Sequence, residues 1–481
     1  MTAVLTHYIG GRFERGEAAG FTEDINPSDA DDVIARIPEG TSDDVAAATT
    51  AAADAFAGWQ RQPGPQRAEH LYRWAGAIEA RKEELAQAVA REVGKPIGEA
   101  RGEVARCVVI LRYYAGEAVR AVGEVVPAQV EGALQFTLRE PLGVVALLTP
   151  WNFPVAIPLW KAAPAIAFGN TVVLKPAEQA SHAATLLAEA AQAAGLPGGV
   201  FNVVLGRGRV VGSALLQAEP IRAVSFTGST EIGLGVARIA AERNIRYQTE
   251  MGGKNVVIVM PDADLDQAAK LTASGAMRYA GQKCTATSRA VVVKQVEETF
   301  LDRLREQVEA LPLGPVDDPQ SAVGPMISAD ARESVRRAVE EAGFERVTGG
   351  GPPPSDDRFA RGFYYTPTVL RGVTPDARVA QDELFGPVLA TLVAHDLEEA
   401  IALANRTRYG LSASLFTRDL RTALSYMHRI EAGLVRVNAD TTGVDPHAPF
   451  GGVKWSSSGS REQGSAAKEF YTETKTVQVN P

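Results

Sequence analysis

Two cysteines and six histidines in 481 residues exclude a good deal of chemistry. The cysteines lie in unlike surroundings, so a disulfide framework is not expected, and the chain is placed in a reducing compartment, the cytoplasm. No metal site is expected. The sequence has no sustained Lys/Arg block, and its net charge is −9. That balance argues against nucleic acid or an anionic membrane as partner. The N-terminus lacks a cationic stretch followed by a long apolar run, so no signal peptide is expected. Long uninterrupted apolar runs are missing too. The most apolar region, residues 142–174, is broken by Pro150, Pro154, Pro158 and Pro164 and holds Asn152, Lys161 and Asn170. A lipid-spanning helix tolerates that poorly, whereas buried strands and loops accommodate it. No internal repeat or low-complexity segment is present.

What remains is an ordinary soluble composition, 45% hydrophobic and 22% charged, in a chain long enough for two or three domains. Apolar spacing predicts helices over residues 42–59, 67–93 and 97–116, with Gly94 as a stop. From Gly143 the pattern alternates. Strands are predicted at 144–148, 171–175, 200–204 and 223–226, and helices at 160–168, 181–194 and 210–217. Continuous β-branched runs separated by helices imply an α/β fold with a parallel sheet covered on both faces. A second alternating series runs from about 255 to 438, which places a domain boundary near 253. Residues 122–139 and 475–479 are isolated strand units, able to pair within the chain or across a subunit boundary. Gly349 to Pro354 reads as a loop.

Cys107 sits at core spacing with Val104, Val108 and Leu111 and reads as structural. Cys284 is different, set among small and polar residues in Gly281-Gln282-Lys283-Cys284-Thr285-Ala286-Thr287-Ser288. This flank predicts a turn or a helix start, where free amides stabilise a thiolate. A small buried hydrophobe is the plainer alternative. Two glycine clusters each follow a strand and open a helix: Gly206-Arg207-Gly208 to Gly212, and Gly228-Ser229-Thr230 to Gly233. Either fits a phosphate loop or merely a tight turn. Lys175 and Glu178 lie just past a strand's carboxyl end, where ligands bind in open α/β sheets; a surface ion pair is the alternative.

Seven motifs then occur in order: Thr149-Pro150-Trp151-Asn152-Phe153-Pro154, Lys175-Pro176-Ala177-Glu178, Phe226-Thr227-Gly228-Ser229-Thr230, Glu250-Met251-Gly252-Gly253-Lys254-Asn255, Gly281-Gln282-Lys283-Cys284, Glu383-Leu384-Phe385-Gly386-Pro387 and Pro449-Phe450-Gly451-Gly452-Val453-Lys454. Together they resemble the NAD(P)-dependent aldehyde dehydrogenase superfamily from end to end. The wording around Asn152 and Cys284 is most similar to the 2,5-dioxopentanoate (α-ketoglutaric semialdehyde) dehydrogenases.

The resemblance implies a Rossmann-like cofactor domain (1–121 and 142–252), an α/β catalytic domain (253–466) and a small β oligomerisation arm (122–141 and 467–481). It implies Cys284 as nucleophile, Glu250 as general base, Asn152 as oxyanion donor and Glu462 as a proton-relay acid. It assigns NAD, with NADP as an alternative, to Trp151, Lys175, Glu178, Gly228, Ser229, Thr230, Gly233, Glu383 and Phe385, and makes the Gly228 cluster the principal phosphate loop. Tyr113, Phe153, Trp160 and His447 would face a small-molecule aldehyde, and the assembly would be a homodimer or homotetramer. Two departures stand out: the segment Trp455 to Arg461 is longer than the usual Ser-Gly-x-Gly-Arg, and Met277 replaces an aromatic. A cofactor-independent cysteine hydrolase would pair Cys284 with histidine, and none of the six stands in a motif linked to it. A non-catalytic scaffold is disfavoured by Cys284, Glu250 and Asn152 occurring together.

Overall fold

The computed structural model describes residues 2–16, 20–120, 123–353 and 355–481. Ala121 and Val122, at the expected edge of the two-stranded excursion, and Pro354, at the end of the expected loop, lie outside the described residues.

Val144–Leu148 and Thr171–Lys175 are buried along their whole length. Their side chains alternate between two cores: Val145, Leu147, Val172 and Leu174 enter one, and Val144, Ala146, Leu148 and Val173 the other. That is the period of a strand covered on both faces. Five parallel strands form the centre of an eight-stranded sheet, in the order Arg246–Glu250, Ile221–Thr227, Val144–Leu148, Thr171–Lys175 and Phe201–Val203. His7–Ile9 and Arg12–Glu14 extend one edge as an antiparallel hairpin. Ser457–Gly459, from far along the chain, closes the other edge.

The Ser42–Trp59 helix opens with a reciprocal cap between Thr41 and Asp44. The helix expected over 67–93 divides into Gly64–Ala80 and Lys82–Val93, because Arg81 leaves helical geometry (φ −110°, ψ 18°). Gly94 ends the second piece in the left-handed conformation, φ 67°. Ile97–Glu117 follows, with Cys107 buried beside Val104, Val108 and Leu111. The helix expected from 160 starts earlier, as Ala156–Ala167, with every residue buried. Pro158 falls in its first turn, where no helical hydrogen bond is lost. The helix expected over 210–217 is shortened to Ser213–Gln217, preceded by a widened turn over Gly208–Gly212.

After Arg246–Glu250 the chain crosses to Asn255–Val259, in a second, seven-stranded sheet. Six of its strands are parallel, and only Glu345–Thr348 at one edge runs against its neighbour. The two isolated strand units pair with each other inside the chain. Thr472–Val479 lies antiparallel to Leu134–Pro141, which also pairs with Val125–Val126. This ribbon leaves Val125, Leu134, Leu138 and Val479 exposed. Among the described residues, no helix is long and apolar enough to cross a membrane.

Candidate active site

In the first sheet, strands are added on one side of Val144–Leu148 and then on the other. Loops leaving Val144–Leu148 and Ile221–Thr227 at their carboxyl ends must therefore diverge, and the crevice between them is a natural ligand site. Two cavities of about 490 Å³ each meet there, sharing Phe226, Thr227 and Ile232. The inner one is lined by Trp151, Asn152, Gly228, Ser229, Cys284, Glu383 and Phe385, among others. The outer one is lined by Thr149, Lys175, Glu178, Gly208, Arg209 and Ser213, among others. Both glycine clusters thus border one groove.

Cys284 is delivered by an unusual turn. Tyr279, Ala280 and Gly281 are all left-handed, with φ of 55°, 51° and 64°. Two of these are not glycine, and such strain persists only where the surroundings impose it. Gly281 has no substitute: a Cβ there would stand 2.4 Å from the Gly386 carbonyl oxygen. Asn255 Nδ2 then donates to the carbonyls of Cys284 (2.7 Å) and Ala286 (2.8 Å), fixing the backbone at the sulfur. Of the turn or helix start expected here, the structure has the turn, closed by Ala286 N–H to the Lys283 carbonyl at 2.9 Å, and the chain continues as the strand Thr287–Val293. Burial, with the charges of Glu383 and Glu250, pushes the Cys284 thiol up to about 12, opposed by the Thr285 backbone N–H. Asn152 is buried, and its Nδ2 donates to the Gln282 carbonyl at 3.1 Å, tying it to the same turn.

Trp151 and Phe385 meet edge to face, ring centres 5.5 Å apart, with Phe385 at a positive φ of 53°. Glu383 accepts a hydrogen bond from Gly253 N–H (3.0 Å), and burial raises its carboxyl to about 7. Ser229 precedes the Thr230–Glu242 helix, so that helix's first amides face the groove. Gly233 permits the helix to lie against Met251, whose Sδ would be 2.5 Å from a Cβ at 233. In the outer cavity, burial lowers the Lys175 ammonium to about 8, opposed by Glu178. Glu178 accepts from Gly208 N–H at 3.2 Å.

Glu250 and Glu462 lie beside this groove without lining it. Glu250 is 2% exposed; Ser457 Oγ donates to its Oε2 at 2.5 Å, and its Oε1 has no partner among the described residues. Burial and the Glu462 charge push its carboxyl well above the usual range, while the Ser457 hydroxyl, Lys161 and Arg461 oppose that. Glu462 is held by the Lys161 ammonium, Ser225 Oγ (3.2 Å) and Gln248 Nε2 (3.1 Å). Removing the Ser457 hydroxyl takes away a bond that favours the ionised Glu250. In Ser457→Ala the acidic limb of the kcat–pH profile is therefore expected to move to higher pH. A limb that stays in place would detach Ser457 from this carboxylate's titration.

The four residues expected around the aldehyde tail do not line either cavity. Trp160 is buried against Phe450 (5.8 Å between ring centres), Tyr113 packs on Tyr114 (5.0 Å), Phe153 lies under the Lys95 ammonium (3.9 Å), and His447 is exposed on its loop. Sequence reasoning passed over Ser457, which lies in the unusually long segment 455–461 and begins the edge strand Ser457–Gly459, and Arg209, which belongs to the discounted glycine cluster. Those two oddities were the available signals. Gln248 and Ser225 carried none, being indistinguishable from other polar strand residues.

The sequence profile of the aldehyde dehydrogenase family matches residues 13–477. The chain is 43% identical to the alpha-ketoglutaric semialdehyde dehydrogenase of Bacillus subtilis, covering 99% of this chain and 98% of that protein. It is 40% identical to the 2,5-dioxopentanoate dehydrogenase of Saccharolobus solfataricus, covering 94% and 95%. Among solved structures, an NAD-dependent aldehyde dehydrogenase from Sinorhizobium meliloti superposes with a TM-score of 0.96 at 38% identity, over 100% of this chain and 95% of that one.

Proposed function

This chain belongs to the aldehyde dehydrogenase family and oxidises an aldehyde to a carboxylic acid with a nicotinamide dinucleotide, and we propose that its substrate is the carboxylated semialdehyde 2,5-dioxopentanoate, with NAD preferred. The observation that carries the site is the convergence of Cys284, Asn152, Glu383, Trp151 and Phe385 on one cavity that continues into a second. The names of the two relatives above support the substrate.

The groove suits a dinucleotide. The Thr149 and Thr227 hydroxyls at its wall, and that of Thr230 just behind Ser229, are buried without partners among the described residues. Lys175 and Glu178 would hold the adenosine ribose, and Gly228, Ser229 and the first amides of the Thr230–Glu242 helix the pyrophosphate. Glu383 and Phe385 would hold the nicotinamide ribose, with Trp151 alongside. The Glu178 carboxylate disfavours a 2′-phosphate, while Lys175 and Arg209 in the same cavity are the cations that would offset it. Bound NAD supplies the hydride acceptor that turns a thiohemiacetal into a thioester.

The remaining chemistry belongs to this chain. Cys284 gives up its proton to solvent water as the sulfur bonds to the aldehyde carbon and the C=O π bond breaks, placing negative charge on the former carbonyl oxygen. Asn152 Nδ2 has two hydrogens; one is committed to Gln282, and the other is free for that oxyanion. Losing such a donor typically costs about 2.7–4 kcal/mol. Glu250 takes a proton from water, whose oxygen joins the acyl carbon as the thioester C–S bond breaks and Cys284 is released.

The first sheet with its helices, apart from the edge strand Ser457–Gly459, is assigned as the cofactor domain (1–121 and 142–252), residues 253–466 as the catalytic domain, and the ribbon of 122–141 and 467–481 as an arm between subunits of a cytoplasmic homodimer or homotetramer. The apolar residues exposed on that ribbon support the last point. Ranking carboxylated, aliphatic and aromatic aldehydes by kcat/KM, with NAD and then NADP, tests the substrate and cofactor together. Carboxylated semialdehydes with NAD are expected to lead by at least about tenfold, which is about 1.4 kcal/mol of transition-state discrimination. Preference for an uncharged aromatic aldehyde would overturn the substrate.

A further inference from the structure

Behind the inner cavity, one face of the Ile97–Glu117 helix reaches both walls of the reactive site. Glu103 is 4% exposed and pairs with the Lys95 ammonium, itself 1% exposed. Lys95 donates to the main-chain carbonyl of Asn152 at 2.7 Å. Its ammonium also sits 3.9 Å from the centre of the Phe153 ring and 4.6 Å from that of Tyr279. Phe153 follows Asn152, and Tyr279 begins the left-handed turn before Cys284, so a single cation touches both loops. The second Glu103 oxygen accepts from the N–H groups of Val155 and Ala156, each at 3.0 Å, and caps the first turn of the Ala156–Ala167 helix.

One turn earlier on the same face, Glu99 accepts from Lys283 Nζ at 2.8 Å and Arg278 Nε at 3.1 Å. Lys283 is the immediate neighbour of Cys284, and Arg278 precedes the strained turn. The two carboxylates therefore grip opposite sides of the cavity: Glu103 the loop of Asn152, and Glu99 the loop of Cys284. A buried ion pair offers little net stability over apolar residues of the same volume, because both charges must leave water. What it supplies here is geometry.

We propose that Glu99, Glu103 and Lys95 are positioning residues that together set the separation between the Asn152 amide and the Cys284 sulfur. This rests on the assignment of those two groups to aldehyde oxidation. The Cys284 loop is held from its other side by Asn255, and among the described residues the Asn152–Gln282 hydrogen bond is the one that joins the two loops directly at the cavity. Since a misplacement of about 1 Å costs on the order of 10² in rate, a rigid link through one helix has a direct catalytic consequence.

The test uses the full chain with NAD and aldehyde. Lys95→Met and Glu103→Gln are introduced together, because either alone leaves an uncompensated buried charge; the glutamine amide oxygen still accepts from Val155 and Ala156. Glu99→Gln is made separately at a site whose side chain is 18% exposed. Both variants are expected to melt within a few degrees of the parent and to keep its KM for NAD. The kcat is expected to fall roughly 100-fold in the double variant and roughly 10-fold in Glu99→Gln, with loss of the pre-steady-state NADH burst. A parent-like kcat and burst in the folded double variant would overturn the proposal. Should that variant not fold, the same result in Glu99→Gln overturns it. Activity that merely tracks the folded fraction also overturns it. If instead the parent shows no aldehyde oxidation, or Cys284→Ala retains it, the underlying site assignment fails.

Discussion

Cys284→Ala is expected to lower aldehyde oxidation by roughly 10⁴-fold or more while leaving NAD affinity nearly unchanged. The size follows from what is removed. No other group lining the inner cavity is a comparable nucleophile: its remaining titratable member, Glu383, is a carboxylate bound to Gly253 N–H. NAD affinity is spared because the outer cavity, with Lys175 and Glu178, and the amides after Ser229 do not touch the sulfur. Steady-state rates alongside NAD titration by fluorescence measure both quantities on one sample. Substantial turnover by the alanine variant would remove Cys284 as nucleophile, and weakened NAD binding of similar size would show a structural role instead. The thiol's elevation to about 12 sharpens the expectation. Burial and the facing carboxylates favour the neutral thiol, so uptake of its proton as the bond forms is part of the attack.

Glu250→Gln is expected to slow turnover by roughly 10²–10⁴-fold and to do so at deacylation. The carboxylate is buried and repelled by Glu462, and both raise its affinity for a proton. Glutamine keeps the shape and an oxygen to accept from Ser457 but cannot take a proton from water. Acyl-enzyme should therefore accumulate on Cys284 and be visible in the intact mass after mixing with NAD and aldehyde. An NADH burst of one equivalent per site followed by a slow phase is the kinetic counterpart. An unchanged rate with no adduct would end the base assignment. The Glu250 charge also helps hold the Cys284 thiol up, so its removal eases ionisation of the sulfur and leaves deacylation as the slowed step, which the burst amplitude reads directly.

Much of this was legible in the residue order because local rules act over a few positions. Val144–Leu148 and Thr171–Lys175 are read with their observed ends, since five and four consecutive apolar or β-branched residues between turn signals leave little choice. The Ser42–Trp59 helix is equally local, fixed by an alanine-rich run behind a Thr-x-x-Asp cap. The break at Arg81 was not legible, because Leu71, Trp74, Ile78, Leu85 and Val89 maintain apolar spacing across it and all enter one core. The turn at Tyr279 and Ala280 was hidden for a related reason. Neither residue favours a positive φ, and the conformation is imposed by contacts remote in sequence, including Tyr279 OH to Val93 O at 3.2 Å.

By itself, the sequence determined the strand–helix alternation, the two sheets it implies and the set of chemical groups available: one polar-flanked thiol, an amide and several carboxylates near glycines. Folding alone decided which of those groups share a cavity. It brought Asn152 to Gln282, aimed both glycine clusters at one groove, set Ser457 on Glu250 and ran a helix behind Asn152 and Cys284. The physical reason is range. Propensity and hydrophobic period are properties of neighbouring residues, whereas hydrogen-bond partners and the burial that shifts a pKa depend on which distant segments pack together.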